Sequence, residues 1–190
     1  MKNILLGVTG GIAAYKAAEI SRLFVKRGIS VQVIMTSNAQ RFIAPLTFQT
    51  LTKQKVYTGM FENIFYEDVR HISLAKGSDL AVIAPATANI IGKLAGGIAD
   101  DMLTTVIMAM SGERPPKPVI VCPAMNTSMW ENPIVQRNVE KLKTHGFFFV
   151  GPAEGVLACG DSGSGALAGV DEIVASALSL IERSAAGNDC

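Results

Sequence analysis

Few residues in this 190-residue chain announce a function by themselves. Cysteine is scarce: Cys122, Cys159 and Cys190 are odd in number and far apart, with no C-x-x-C spacing. That excludes a disulfide framework and a cysteine-based zinc site, and makes a reducing, cytoplasmic compartment the expectation. Charge of one sign is also lacking. Seventeen Lys and Arg against sixteen Asp and Glu leave a net charge of +1, no electrostatic case for nucleic acid or an acidic membrane. No apolar stretch approaches the about 18 residues of a membrane span. The first residues, one Lys before an apolar strand, do not read as a signal peptide. Histidine occurs twice and tryptophan once, and there is no internal repeat or linker.

What is abundant is apolar. A hydrophobic content of 49% with 17% charged residues suits one α/β domain whose sheet is buried on both faces. The expected fold is a single doubly wound, mostly parallel sheet, Rossmann-like or flavodoxin-like, flanked by helices. It spans residues 1–183, with 184–190 as a flexible tail.

The chain opens with a βαβ pattern. Asn3 to Val8 reads as a buried strand, Ile12 to Arg27 as a helix stopped by Gly28, and Ser30 to Met35 as a second strand. The turn between strand and helix, Gly7-x-x-Gly10-Gly11, is not G-x-G-x-x-G. The second strand ends in Thr36-Ser37-Asn38 rather than the acidic residue a dinucleotide site wants. Hydroxyls, an amide and helix-start N–H groups suit a single phosphate, favouring a mononucleotide such as FMN over NAD. The alternative is that the glycines only make a tight turn.

Further on, Ala39 to Gln54 predicts two helical pieces split by Pro45, and Val56 to Glu67 an irregular segment serving as a lid or a subunit contact. Asp79 to Ala84 predicts a strand closed by Pro85, and Asp100-Asp101 an N-cap restarting an interrupted helix. Pro133 to Thr144 predicts a helix with His145 at its C-terminus, and Phe147 to Val150 a strand. Gly151 to Gly169 is so rich in glycine that it reads as a long loop, a functional lid or disordered. Asp171 is expected to cap a final helix, Glu172 to Arg183.

The most informative stretch is Val119 to Pro133. Val119-Ile120-Val121 is a buried strand ending at Pro123, followed by Met125, Asn126, Met129 and Trp130. Ligands in open α/β sheets bind beyond the carboxyl ends of strands, so this is the expected floor of a site. Met125, Met129 and Trp130 read as packing that orients the Asn126 amide. His71, before the next strand, is either a surface histidine or a site residue.

Four motifs, in order, carry a family resemblance: Gly10-Gly11-Ile12-Ala13-Ala14-Tyr15-Lys16, Pro85-Ala86-Thr87-Ala88-Asn89, Pro123-Ala124-Met125-Asn126-Thr127-Ser128-Met129-Trp130 and Leu157-Ala158-Cys159-Gly160-Asp161. Together they resemble the homo-oligomeric flavin-containing cysteine decarboxylases, and within them the coenzyme A branch, which acts on a small phosphorylated cysteine amide. The resemblance implies FMN bound between the subunits of a trimer or dodecamer. It places the cofactor at Gly10, Gly11, Ile12, Thr36, Ser37, Thr87, Ala88, Asn89 and Ala124. It makes His71, Asn126 and Cys159 catalytic, and puts Met125, Asn126, Ala158 and Gly160 at the substrate. It also implies a ligase that makes the substrate, as a partner or a fused domain; a chain of 190 residues is then a stand-alone enzyme or an excised half.

The chemistry explains those residue types. Direct decarboxylation of a cysteine amide leaves a carbanion with no sink; oxidising the thiol to a thioaldehyde places the sink β to the carboxylate, and the resulting ene-thiol is reduced afterwards. The flavin carries the electrons. His71 can take a proton near neutrality. Asn126 can hold a carboxylate without the ionic attraction that would oppose its loss. Cys159, on a glycine-rich clamp, can return a proton once the clamp closes.

Three departures stand out: Thr87 where Ser is commoner, Ile90 where a second hydroxyl is usual, and Ala166 where many members have Arg. A peptidyl-cysteine decarboxylase of lantibiotic maturation needs no final reduction, so the Cys159 clamp argues against it. A flavin prenyltransferase does not fit the Met-Asn and Met-Trp block. A flavin-binding regulatory subunit that inhibits a phosphatase would carry acidic extensions or lose a catalytic residue, and this chain retains His71, Asn126 and Cys159.

Overall fold

The computed structural model describes residues 2–60, 70–156, 160 and 162–186. Six parallel strands form one sheet in the order β3-β2-β1-β4-β5-β6. These are β1 (Asn3–Val8), β2 (Ser30–Met35), β3 (Val56–Tyr57), β4 (Leu80–Ala86), β5 (Val119–Pro123) and β6 (Phe148–Phe149). Of the two expected doubly wound arrangements, this is the Rossmann order.

Side-chain alternation along the central strands separates two cores. Ile4, Leu6 and Val8 of β1 point to one face with Val31 and Val33 of β2 and Val82 of β4. Helices α1 (Lys16–Lys26) and α2 (Pro45–Thr52) cover that face through Phe24 and Phe48, joined by the C-terminal helix α8 (Val170–Ala186) through Ile173 and Ala177. Leu5, Ala81, Ile83 and Val121 point to the other face. There α3 (Arg70–Gly77), α4 (Ala88–Gly96), α5 (Met102–Gly112) and α7 (Pro133–Thr144) pack on them through Ala75, Ile91, Val106 and Val139. Each such Val, Leu, Ile or Phe contributes about 1.5–3 kcal/mol on leaving water.

Local sequence signals set the helix ends. Gly28 takes φ 74° just after α1, a left-handed stop that costs glycine no Cβ clash. Asp101 and Thr104 form a reciprocal capping box at the start of α5, as the Asp100-Asp101 pair predicts. Pro45 and Pro133 occupy the first turns of α2 and α7, where no helical N–H is lost.

Four expectations change. Val56–Tyr57 is an edge strand rather than wholly irregular; residues 61–69 of that segment lie outside the described residues. Pro85 does not close β4: the strand runs to Ala86, with a register shift after Ile83 that sends Ala84 and Ala86 to opposite cores. Gly151 to Gly169 is not simply a loop. It contains a hairpin, β7 (Ala153–Val156) paired antiparallel with β8 (Ser162–Ala166), and Gly165 within it and Leu167 and Ala168 after it are buried. Alternating glycine and serine carry no apolar signal for a strand, so only the contacts of β8 reveal it. Finally, Asp171 lies inside the first turn of α8 rather than at its cap, and the helix runs on to Ala186, three residues past Arg183; residues 187–190 lie outside the described residues.

Candidate functional site

Strands β1 and β4 are neighbours whose chains leave in opposite directions. After β1 the chain turns through a 3-10 segment, Ile12–Tyr15, into α1 on one face; after β4 it enters α4 on the other. This divergence opens a crevice at the carboxyl ends of the strands, where doubly wound sheets take their ligands. A cleft of about 590 Å³ occupies it.

One wall is the Gly10-Gly11 turn with Ile12, Ala13, Tyr15 and Lys16. Gly10 is required by packing: a Cβ there would overlap Asn38, which follows β2. Opposite stands the start of α4. Thr87 caps it, its hydroxyl oxygen accepting the Ile90 N–H at 3.5 Å, and a Cβ on Gly11 would reach Thr87 Cγ2 at 3.8 Å. The two turns therefore face each other with space for about one methyl group between Gly11 and Thr87, each presenting backbone and small side chains. Helix-start N–H groups carry partial positive charge and suit an anion.

The floor comes from the end of β5. Ala124 donates its N–H to Ala86 O at 3.0 Å, and Met125 donates to Gly165 O at 2.9 Å. The chain then forms the short helix α6 (Thr127–Trp130). Asn126 caps it: Oδ1 accepts the Ser128 N–H at 2.9 Å. That bond marks Oδ1 as the acceptor end of the amide and Nδ2 as its donor end. Gly165, Ala166 and Leu167 close the third side.

The fold thus brings Gly10, Gly11, Ile12, Thr87, Ala88, Ala124, Met125 and Asn126 together around one cleft. Thr36, Ser37 and Asn89 do not line it. Thr36 is turned into its own loop, where its hydroxyl and carbonyl oxygens both face the Ala39 N–H. His71 is also absent from the cleft wall: it sits half-buried on the first turn of α3, in the layer that packs on α5. Gly160 is exposed with φ 90°. Ala158 and Cys159 lie outside the described residues. Of the departures, Ile90 is buried in the core, so that position offers the cleft nothing, whereas Ala166 is on the wall.

Several wall residues carried no assigned role in the sequence. Lys16 is the one charged side chain among the described residues lining the cleft. Met129, read as packing, is half exposed and lines it; Trp130 does pack on the core. Thr9 lies just behind the wall, buried, bonded to both Pro85 and Thr87. A lone threonine before two glycines gives no signal of that; only the adjacency of β1 and β4 does.

Cys122 is buried at the end of β5, and burial, with Glu172 nearby adding to it, pushes its thiol pKa far up. It is a packing residue. No cluster of three or more His, Cys, Asp or Glu able to hold a metal occurs among the described residues, and none of their helices is long and apolar enough to cross a membrane.

Comparison with known proteins places this geometry. Residues 1–182 match the family described as Flavoprotein. The chain is 48% identical over 173 residues to the coenzyme A biosynthesis bifunctional protein CoaBC of Bacillus subtilis, covering 91% of this chain but 41% of that protein. It is likewise 48% identical over 173 residues to a probable phosphopantothenoylcysteine decarboxylase of Streptococcus mutans, covering 91% of this chain and 95% of that one. Thus the chain spans about two-fifths of the bifunctional relative and nearly all of the shorter one. Among solved structures, a PPC decarboxylase variant complexed with pantothenoylaminoethenethiol superposes with TM-score 0.83 at 32% identity, covering 95% of this chain and 98% of the other. The FMN binding protein AtHal3 superposes with TM-score 0.82 at 32% identity, covering 96% and 97%.

Proposed function

The chain belongs to the flavoprotein family, and from that premise we propose that it is an FMN-dependent carboxy-lyase. It converts phosphopantothenoylcysteine to phosphopantetheine and carbon dioxide in coenzyme A biosynthesis. The observation that carries this reading is the placement of the Asn126 amide, its Oδ1 accepting the Ser128 N–H, on the floor of a cleft at the β1/β4 switch point.

The residues present fit FMN. Gly10 lets the turn pack tightly on Asn38 while its backbone lines the cleft, and Ala88 and Ala124 keep the cleft wall flat. The first N–H groups of α4 and the Gly10-Gly11 turn would hold the phosphate. When bound, FMN supplies two-electron redox chemistry at the carbon bearing the substrate thiol.

The chain's own side chains do the rest. Asn126 orients the carboxylate by neutral hydrogen bonds, so its departure as carbon dioxide breaks no ion pair. Lys16 supplies the cleft's positive charge for a phosphorylated substrate, at a site whose Ala166 cannot. Cys159, which lies between β7 and β8 in the sequence, returns a proton to the product. His71 accepts a proton, but its own α3 keeps it off the cleft of its own chain. Its role therefore requires a second copy to present it, which makes the working unit a homo-oligomer, a trimer or a dodecamer. A phosphopantothenate–cysteine ligase, fused or separate, supplies the substrate.

The test is direct. Purified protein should show a yellow FMN spectrum, or acquire one with added FMN, and release carbon dioxide from phosphopantothenoylcysteine. A colourless protein that takes up no FMN overturns the reading.

A further inference from the structure

Backbone pairing between β1 and β4 stops at Gly7 and Ile83, yet the two turns that wall the cleft start beyond that point. What crosses the gap is a single hydroxyl. Thr9, 2% exposed, donates Oγ1–H to Pro85 O at 2.7 Å and accepts the Thr87 N–H at 3.1 Å. Those two groups flank Ala86, the last residue of β4, where the register has shifted. Thr9 itself directly precedes Gly10. One oxygen thus ties the first turn to the second.

This bond pattern also selects donors. With the Thr87 N–H turned inward to Thr9, and the Ile90 N–H directed to the Thr87 hydroxyl, the N–H groups of Ala88 and Asn89 are those left at the head of α4 for an anion. Without the Thr9 hydroxyl, the Pro85 carbonyl and Thr87 N–H would lose a buried partner, a loss the chain relieves by shifting. That movement would change the spacing between the Gly10-Gly11 turn and the head of α4.

We propose that Thr9 is a positioning residue that sets the phosphate cradle, and so the preference of the site for a flavin bearing a phosphate over the same flavin without one. The proposal rests on the FMN reading above and deepens it. Thr9 does not line the cleft; it acts through Thr87 and Gly10.

The test titrates flavin-free protein with FMN and with riboflavin, following flavin fluorescence. Wild type should bind FMN more tightly. Thr9→Val, close in shape but without the hydroxyl, should weaken FMN binding by about tenfold to 100-fold, the loss expected of two buried hydrogen bonds. Riboflavin binding should change by less than about threefold, and Thr9→Ser should restore FMN binding. If Thr9→Val does not fold, Thr9→Ala compared with Thr9→Ser asks the same question, because only the second keeps the hydroxyl. Equal weakening of both flavins, or none, overturns the assignment. Wild type that binds FMN no more tightly than riboflavin overturns it too, and takes the FMN reading with it.

Discussion

The Met125 N–H donates to the Gly165 carbonyl at 2.9 Å, and there is no room at Gly165 for any side chain, since a Cβ would overlap the Met125 carbonyl oxygen. The floor of the cleft and the β7–β8 hairpin are therefore one rigid joint. Two residues earlier, a Cβ at Gly163 would come within 2.6 Å of Thr127 Oγ1. Strand β8 lies flat on α6 because its glycines allow it. The clamp's root is fixed against the residue proposed to hold the substrate carboxylate.

Gly165→Ala tests that joint. The methyl must displace either β8 or the Met125-Asn126 turn, and overpacking of this kind costs about 1–3 kcal/mol. Turnover should fall by at least about tenfold through misplacement of Asn126. Urea denaturation and carbon dioxide release measure the two effects; full activity would show that the joint does not position the site.

Asn126→Asp separates cap from chemistry. Aspartate caps a helix as well as asparagine does, so thermal stability should stay near wild type. The change removes the NH2 donor and sets a negative charge against the substrate carboxylate, and kcat/KM should drop by at least about 100-fold. Activity near wild type would remove Asn126 from the mechanism.

His71 and Asn126 belong to different places in one chain, which leads to a complementation experiment. His71→Asn and Asn126→Asp should each be inactive alone. Mixed after dissociation and reassembly, they should regain part of the activity, because some sites would pair an intact Asn126 with an intact His71 from another copy. No recovery in verified mixed oligomers would rule out the shared site.

The thiol chemistry is equally specific. Burial holds Cys122 protonated far above neutral pH, with Glu172 adding to the effect, and thiols react as thiolates. Native protein treated with iodoacetamide at pH 8 should leave Cys122 unmodified, as peptide mass mapping would report, and denaturation should expose it. Rapid native labelling would contradict its place in the core.

Lys93 joins α4 to the start of α5 by pairing with Asp100 at 2.7 Å and Asp101 at 3.2 Å. The hydrogen bond from Lys93 holds the Asp100 carboxyl below its ordinary value. A depressed carboxyl stabilises the fold above its unfolded pKa, and the contribution disappears as pH falls through the folded value. Lys93→Met should therefore lower the melting temperature slightly at pH 7, and the gap to wild type should close below about pH 4. A gap that persists at pH 2 would assign the loss to packing of the lysine stem instead.

Much of this molecule is written locally. Apolar runs at Asn3–Val8, Ser30–Met35 and Val119–Pro123, with glycine and proline between them, specify parallel strands before any contact is known. Asp101, Pro45, Pro133 and Gly28 mark helix ends because caps and stops act within one turn. The asparagine beyond Pro123 could be singled out for the same reason, since a strand that ends in a proline and an amide has a site side. Local signals could not show that Asn126 is also a helix cap, that Thr9 bridges two strands 76 residues apart in sequence, or that Ser162–Ala166 is a strand. Nor could they show that Ile90 faces the core or that His71 stands off the cleft of its own chain. Each of these depends on which strand lies beside which, and on contacts between residues far apart in the chain. The sequence determined the chemistry available and the order of the elements; the packing of β1 against β4 and of β8 against α6 decided which of those groups meet.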